Sequence, residues 1–118
     1  MLSETEIKNG IEGNQRRNYA LLSVLSKKGI ELDAIRLIDY HFWSFDRRDA
    51  AMLARELYRH DYLILSIAPV EQDREKSWSI EAQMEHCPQD AASLDRTKTL
   101  SYLAAKFDSI YDGWGTKI

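Results

Sequence analysis

SWSIEAQME, residues 77–85, decides the fold, because apolar and polar side chains alternate along it without a break. One parity holds Trp78, Ile80, Ala82 and Met84, and the other holds Ser79, Glu81, Gln83 and Glu85. Successive side chains of a strand point to opposite faces of a sheet, so this period predicts a strand with one buried face and one wet face. One-sided burial is typical of an antiparallel sheet.

A second strand is predicted upstream, over residues 35–45, because β-branched and aromatic residues dominate there. Its two parities differ in chemistry. Ile38, Tyr40 and Phe42 are assigned to the core. The opposite parity holds Leu37, Asp39, His41, Trp43 and Phe45; it contains ionisable groups and is assigned to the more open face.

The remaining elements follow from periodicity and from turn residues. Helices are predicted over residues 14–28, 47–60 and 90–108, strands over 62–70 and 110–114, and a charged hairpin loop over 71–76. Without the first helix, the order is β-α-β-β-α-β, which predicts a ferredoxin-like α+β fold: an antiparallel sheet with two helices on one face and an extra N-terminal helix. Gly10 and Gly13 predict a flexible lead over residues 1–13, before a single domain over 14–118.

Composition narrows the class of protein. The chain has 118 residues, of which 44% are hydrophobic and 30% charged, as in a globular domain rather than a disordered one. Its net charge of −3 disfavours a general nucleic-acid binder. Cys87 is the single cysteine, so no intramolecular disulfide can form. With no apolar run near the N-terminus and none of membrane-spanning length, we expect a cytoplasmic protein without a membrane partner.

The sequence lacks the usual catalytic and phosphate-binding motifs. Its histidines, His41, His60 and His86, do not have the spacing of metal ligands, and His86 followed by Cys87 supplies only one adjacent pair. We therefore predict no catalytic residue, no metal, no cofactor and no small-molecule substrate. An enzyme in which Asp39 orients His41 as a general base is the alternative from another class.

The open sheet face carries the functional hypothesis. If the first and third strands are neighbours, Asp39, His41 and Trp43 lie beside Glu81, Gln83 and Glu85. An aromatic residue ringed by acidic ones is typical of a surface that binds a basic protein partner. The alternative is that the first helix covers the apolar part of this face.

RNA is the other candidate partner. Arg16, Arg17, Lys27 and Lys28 give the first helix a positive stretch, which predicts steeply salt-dependent binding if it contacts RNA directly. Glu81, Gln83 and Glu85 stand where an RNA-recognition sheet would carry basic and aromatic residues, so RNA contact is the weaker hypothesis.

The C-terminal YDGWG, residues 111–115, resembles the signature of the bacterial family called regulator of ribonuclease E activity, B type. NYALL at 18–22 followed by Gly29, and DYHFWSF at 39–45, are similar to further parts of that family, so the resemblance spans about residues 14–116. It implies a ferredoxin-like fold and a non-catalytic inhibitor. The family's described member binds the endoribonuclease that organises the RNA degradosome and modulates its activity and composition.

The motif also has a structural explanation. It consists of Tyr111, Asp112, Gly113, Trp114 and Gly115. Asp-Gly favours a tight turn and Trp114 offers a large buried anchor, so the motif either holds the fold together or binds the partner. The first helix is basic here, whereas family members are often strongly acidic near the N-terminus. A paralogue that binds another protein is therefore an open alternative.

Overall fold

The computed structural model of the chain describes residues 2–72 and 75–118. Its elements are α1 (Glu4–Lys27), β1 (Arg36–Ser44), α2 (Arg47–Arg59), β2 (Leu63–Gln72), β3 (Glu75–His86), α3 (Pro88–Ala91), α4 (Leu94–Ala105) and β4 (Ser109–Gly115). The strands form one antiparallel sheet in the order β2-β3-β1-β4. The prediction of an α+β protein with an antiparallel sheet is confirmed, and the first and third strands are neighbours.

The helices cover one face of this sheet. Ile38, Tyr40 and Phe42 of β1 point into the core, and each is at most 1% exposed. They lie beside Ile80 and Ala82 of β3, which are also fully buried. α2 packs an apolar stripe on this layer, formed by Ala50, Leu53, Ala54 and Leu57. The alternation in the sequence therefore assigned the two faces of β1 and β3 correctly.

Helix α1 begins at Glu4, ten residues before the predicted start. Ser3 is its N-cap: the Ser3 hydroxyl accepts from the Glu6 amide at 3.1 Å, and the Glu6 carboxylate accepts from the Ser3 amide in return. This capping box satisfies amides that have no partner within the helix. The predicted flexible lead over residues 1–13 is corrected accordingly, since the cap outweighs the helix-weakening effect of Gly10 and Gly13.

Helix α1 docks beside α4 and β4, in the layer of helices. The buried Asn14 donates from Nδ2 to the Tyr111 carbonyl at 3.1 Å. Asn18, also buried, donates to the Ala92 carbonyl and accepts from the Trp114 indole at 2.8 Å. Because α1 occupies this position, it does not cover the opposite face of the sheet, and that alternative is wrong.

Two further boundaries differ from the prediction. The predicted 71–76 loop is mostly strand, because Glu71 of β2 lies opposite Lys76 of β3; its residues 73–74 lie outside the described residues. The predicted helix over 90–108 is two helices. The second one, α4, has its own N-cap, since the Ser93 hydroxyl accepts from the Arg96 amide at 3.1 Å. A side chain that caps a new helix interrupts the preceding one.

A β-bulge explains the YDGWG motif. Tyr111 lies opposite Phe42 and Trp114 lies opposite Tyr40, so β4 has two residues, Asp112 and Gly113, where β1 has one. Without the extra residue, side chains three positions apart would point to opposite faces; with it, Tyr111 and Trp114 both enter the core. Gly113 has a φ of +101°, which favours glycine.

Candidate functional site

The face of the sheet opposite the helices brings together the six residues predicted to bind a partner. The adjacent pairs are His41 with Glu81 and Asp39 with Gln83, while Trp43 lies opposite Ser79 and Glu85 opposite Leu37. We call this set, Asp39, His41, Trp43, Glu81, Gln83 and Glu85, the open face. The structure thus places all six on one surface that none of the described helices covers; whether a partner binds there stays a prediction.

Polar contacts link β1 and β3 across the open face. Gln83 Nε2 donates to Asp39 Oδ1 at 2.8 Å. His41 Nδ1 lies 3.5 Å from Glu81 Oε1, and these two side chains are 40% and 47% exposed. Cross-strand pairs of this kind stabilise a sheet modestly, and here they restrain the Asp39 carboxylate most directly.

Trp43 is positioned from the C-terminal motif. Its indole Nε1 donates to Asp112 Oδ2 at 2.9 Å, and Asp112 Oδ1 lies 3.3 Å from the Arg17 guanidinium of α1. The bulge turns Asp112 outward between the inward-facing Tyr111 and Trp114. Sequence analysis missed this role of Asp112. The only signal for it was an acidic residue inside an otherwise aromatic and glycine-rich motif.

Apolar side chains border the open face. Leu37 on β1 is 52% exposed and Leu63 on the edge strand β2 is 57% exposed. Leu63 lies opposite Gln83, which places it on the same surface as the polar pairs. Phe45 is equally exposed but follows the end of β1, outside the strand. Carboxylates, an aromatic ring and a short apolar border on one surface suit recognition of a protein.

The catalytic alternative lacks its central contact. His41 faces Glu81, and Asp39 accepts from Gln83, so Asp39 does not orient the imidazole. Both residues are half-exposed on the sheet, and Asp39 lines a depression of about 170 Å³ together with Gln83. Within residues 2–72 and 75–118, no three His, Cys, Asp or Glu side chains are grouped so that they could hold a metal ion.

His86 belongs to a structural network at the edge of the core. Its Nδ1 lies 2.9 Å from Tyr40 Oη, and its Nε2 lies 3.1 Å from Arg96 Nη2. A guanidinium only donates, so Nε2 accepts and Nδ1 carries the proton that is donated to Tyr40. Burial, and then the nearby charge of Arg96, lower the pKa of His86 and favour this neutral form.

Part of the positive stretch of α1 makes contacts within the fold. Arg17 contacts Asp112 and Asn14, so its charge is offset. Arg16, Lys27 and Lys28 are exposed. The same helix carries Glu4, Glu6 and Glu12, which reduce its net positive charge. Direct RNA binding by this stretch stays a prediction.

Comparison with known proteins identifies the family. Residues 15–116 match the sequence model of the family described as regulator of ribonuclease activity B. A search of curated proteins returned no match. Among the described residues, no helix has the length and apolar character needed to cross a membrane. The match covers most of the chain, which therefore belongs to the regulator of ribonuclease activity B family.

Proposed function

We propose that this family member binds an endoribonuclease of ribonuclease E type and modulates its activity in RNA decay, without catalysing a reaction itself. The observation that carries the proposal is the open face, which α1 leaves uncovered and which carries three carboxylates and Trp43. Family membership supports the class of partner, and the geometry of the open face supports it as the binding surface.

The partner's surface is expected to be basic. Asp39, Glu81 and Glu85 place three carboxylates along two adjacent strands. Complementary charge across an interface steers the encounter and fixes its register. Trp43 adds an aromatic ring of the kind that often dominates binding energy. Its indole is already held by Asp112, so little conformational freedom is lost when a partner packs against it.

We also propose a fold name and a cellular compartment for this chain. With α1 and the short α3 set aside, the elements read β-α-β-β-α-β, and β3 and β1 are the two central strands. This supports assignment to the ferredoxin-like, or split βαβ, arrangement. A free Cys87 suits a reducing compartment, so we place the protein in the cytoplasm.

Binding of the purified chain to a purified ribonuclease E-type endoribonuclease tests the proposal directly. The variants are Glu81→Lys and Glu85→Lys on the open face, and the matched control is Glu12→Lys, an exposed residue of α1 with the same change in charge. Each open-face variant is expected to weaken binding about fivefold, the upper range for an exposed ion pair, while the control binds normally. Calorimetry at two salt concentrations measures both affinity and salt dependence.

The outcomes separate the competing hypotheses. Equal affinity of all three variants would show that the open face does not contribute to binding. If the endoribonuclease is captured from lysate only when no ribonuclease is added, then RNA bridges the two proteins. If no endoribonuclease binds under either condition, the chain regulates a different protein.

A further inference from the structure

A second concave surface lies in the layer of helices, away from the open face. It is a cleft of about 300 Å³ lined by His60, Tyr62, Arg96, Thr99, Leu100, Tyr102, Leu103 and Lys106. Most of these residues form one stripe along α4, since positions 96, 99, 100, 103 and 106 recur at helical spacing. We call it the α4 cleft. Its volume is in the range of small-molecule sites.

Arg96 is the charged centre of the α4 cleft. Its Nη1 donates to Tyr62 Oη at 2.8 Å and its Nη2 donates to His86 Nε2 at 3.1 Å. Both partners are neutral, and among residues 2–72 and 75–118 no carboxylate lies within 4.0 Å of this guanidinium. A half-buried positive charge is thus held rigidly by groups that do not neutralise it.

Three residues with hydrogen-bond donors, Arg96, Tyr62 and Thr99, line the cleft. A guanidinium has five N–H groups, and two of them are used by Tyr62 and His86. Tyr62 Oη accepts from Arg96, which leaves its own hydrogen available to donate. The hydroxyl of Thr99, one turn along α4, borders the same space. The guanidinium can only donate, and both hydroxyls can donate as well as accept, so all three groups can bind an incoming oxygen.

Charges of both signs surround the cleft, but its lining carries only positive ones. Lys106 lies at its far end, ten residues from Arg96 and therefore about 15 Å away along the helix axis. His60 and Tyr102 on the rim already contact Glu56 and Glu4, at 3.3 Å and 2.6 Å. Asp90 and Asp95 line an adjoining depression that shares Arg96 and Thr99 with the α4 cleft. No carboxylate lines the α4 cleft itself within the described part of the chain.

We propose that the α4 cleft binds a small organic phosphate, with the phosphate group against Arg96, Tyr62 and Thr99. The planar guanidinium matches phosphate oxygens, and a phosphate monoester carries close to two negative charges near neutral pH. Its organic part lies along Leu100 and Leu103, toward Lys106. The site does not depend on the open face, so it can be tested whether or not the endoribonuclease proposal holds.

NMR titration of the full-length, ¹⁵N-labelled chain tests this site. The probes are inorganic phosphate, adenosine monophosphate, adenosine and benzoate. We expect adenosine monophosphate to bind with a dissociation constant below about 1 mM and to shift the amides of residues 96–106. Adenosine and benzoate should bind at least about tenfold more weakly, because each lacks the dianion. RNA oligonucleotides with a 5′-phosphate or a 5′-hydroxyl then show whether a terminal phosphate on RNA binds as the free nucleotide does.

Three variants keep the test falsifiable. Arg96→Gln should lose at least about tenfold in affinity and Lys106→Gln about threefold, since Lys106 is exposed. Lys98→Gln on the same helix lies outside the cleft and should bind normally. Because Lys106 holds no core contact, its variant remains informative if Arg96→Gln misfolds. Equal affinity of the Lys106 and Lys98 variants, adenosine or benzoate binding as tightly as the nucleotide, or no saturable phosphate binding would overturn the proposal.

Discussion

Replacing Gly113 with alanine should destabilise the fold through the bulge of β4. Gly113 has a φ of +101°, and an added Cβ would lie 3.3 Å from Asn14 Oδ1. Asn14 cannot move away easily, because it donates to the Tyr111 carbonyl and accepts from Arg17. A non-glycine residue in such a conformation costs about 1–3 kcal/mol, so we expect a loss of about 2 kcal/mol in the free energy of unfolding. For a domain of this size, that lowers Tm by about 8 °C.

Urea unfolding monitored by circular dichroism measures this loss, and two other glycines serve as controls. In Gly115→Ala the new Cβ would lie 3.9 Å from His41 Nε2, an ordinary contact, so stability should hardly change. Gly10→Ala in the interior of α1 meets nothing within 4 Å and should stabilise the chain by about 1 kcal/mol. A loss below about 0.5 kcal/mol in Gly113→Ala, or one equal to that of Gly115→Ala, would refute the structural role assigned to the bulge.

Three further predictions concern the polar contacts. Asn18→Leu should cost about 1–3 kcal/mol in urea unfolding, because the buried Trp114 indole loses its acceptor; a neutral result contradicts this. Burial lowers the pKa of His86 in the folded chain, so the unfolded chain takes up a proton first and the free energy of unfolding should fall as pH drops below about 6.5. His86→Gln should make this pH dependence less steep. An unchanged slope in the variant would contradict the role assigned to His86. Asp112→Ala should shift the Trp43 indole N–H resonance and speed its hydrogen exchange, whereas Asp112→Asn keeps an acceptor and should change both much less.

The sheet could be predicted because its side chains alternate. The period of two along β1 and β3 assigned Phe42 and Ile80 to one face and His41 and Glu81 to the other. In the structure the first pair is buried and the second pair is partly exposed. The neighbouring positions of these strands followed from element order alone. Six residues of the candidate site were therefore brought onto one face without any knowledge of contacts.

The contacts that join distant segments could not be predicted. The first helix was predicted to begin at residue 14, but Asn14 is buried inside α1 and donates to the Tyr111 carbonyl, 97 positions away. Arg96 gave no periodic signal, and its role depends on Tyr62, just before β2, and on His86, at the end of β3. Such polar contacts depend on where elements meet, which neither helix propensity nor hydrophobic period encodes.

The YDGWG motif connects stability and the candidate binding surface through one inserted residue. The bulge sends Tyr111 and Trp114 into the core and leaves Asp112 outside, where it holds Trp43. The two possible roles of the motif, structural and partner-binding, are therefore not exclusive. They can be separated, because Gly113→Ala acts on the backbone of the bulge whereas Asp112→Ala changes only a half-exposed side chain. A weaker complex in Asp112→Ala, at nearly normal stability, would assign the motif a positioning role on the open face in addition to its role in the core.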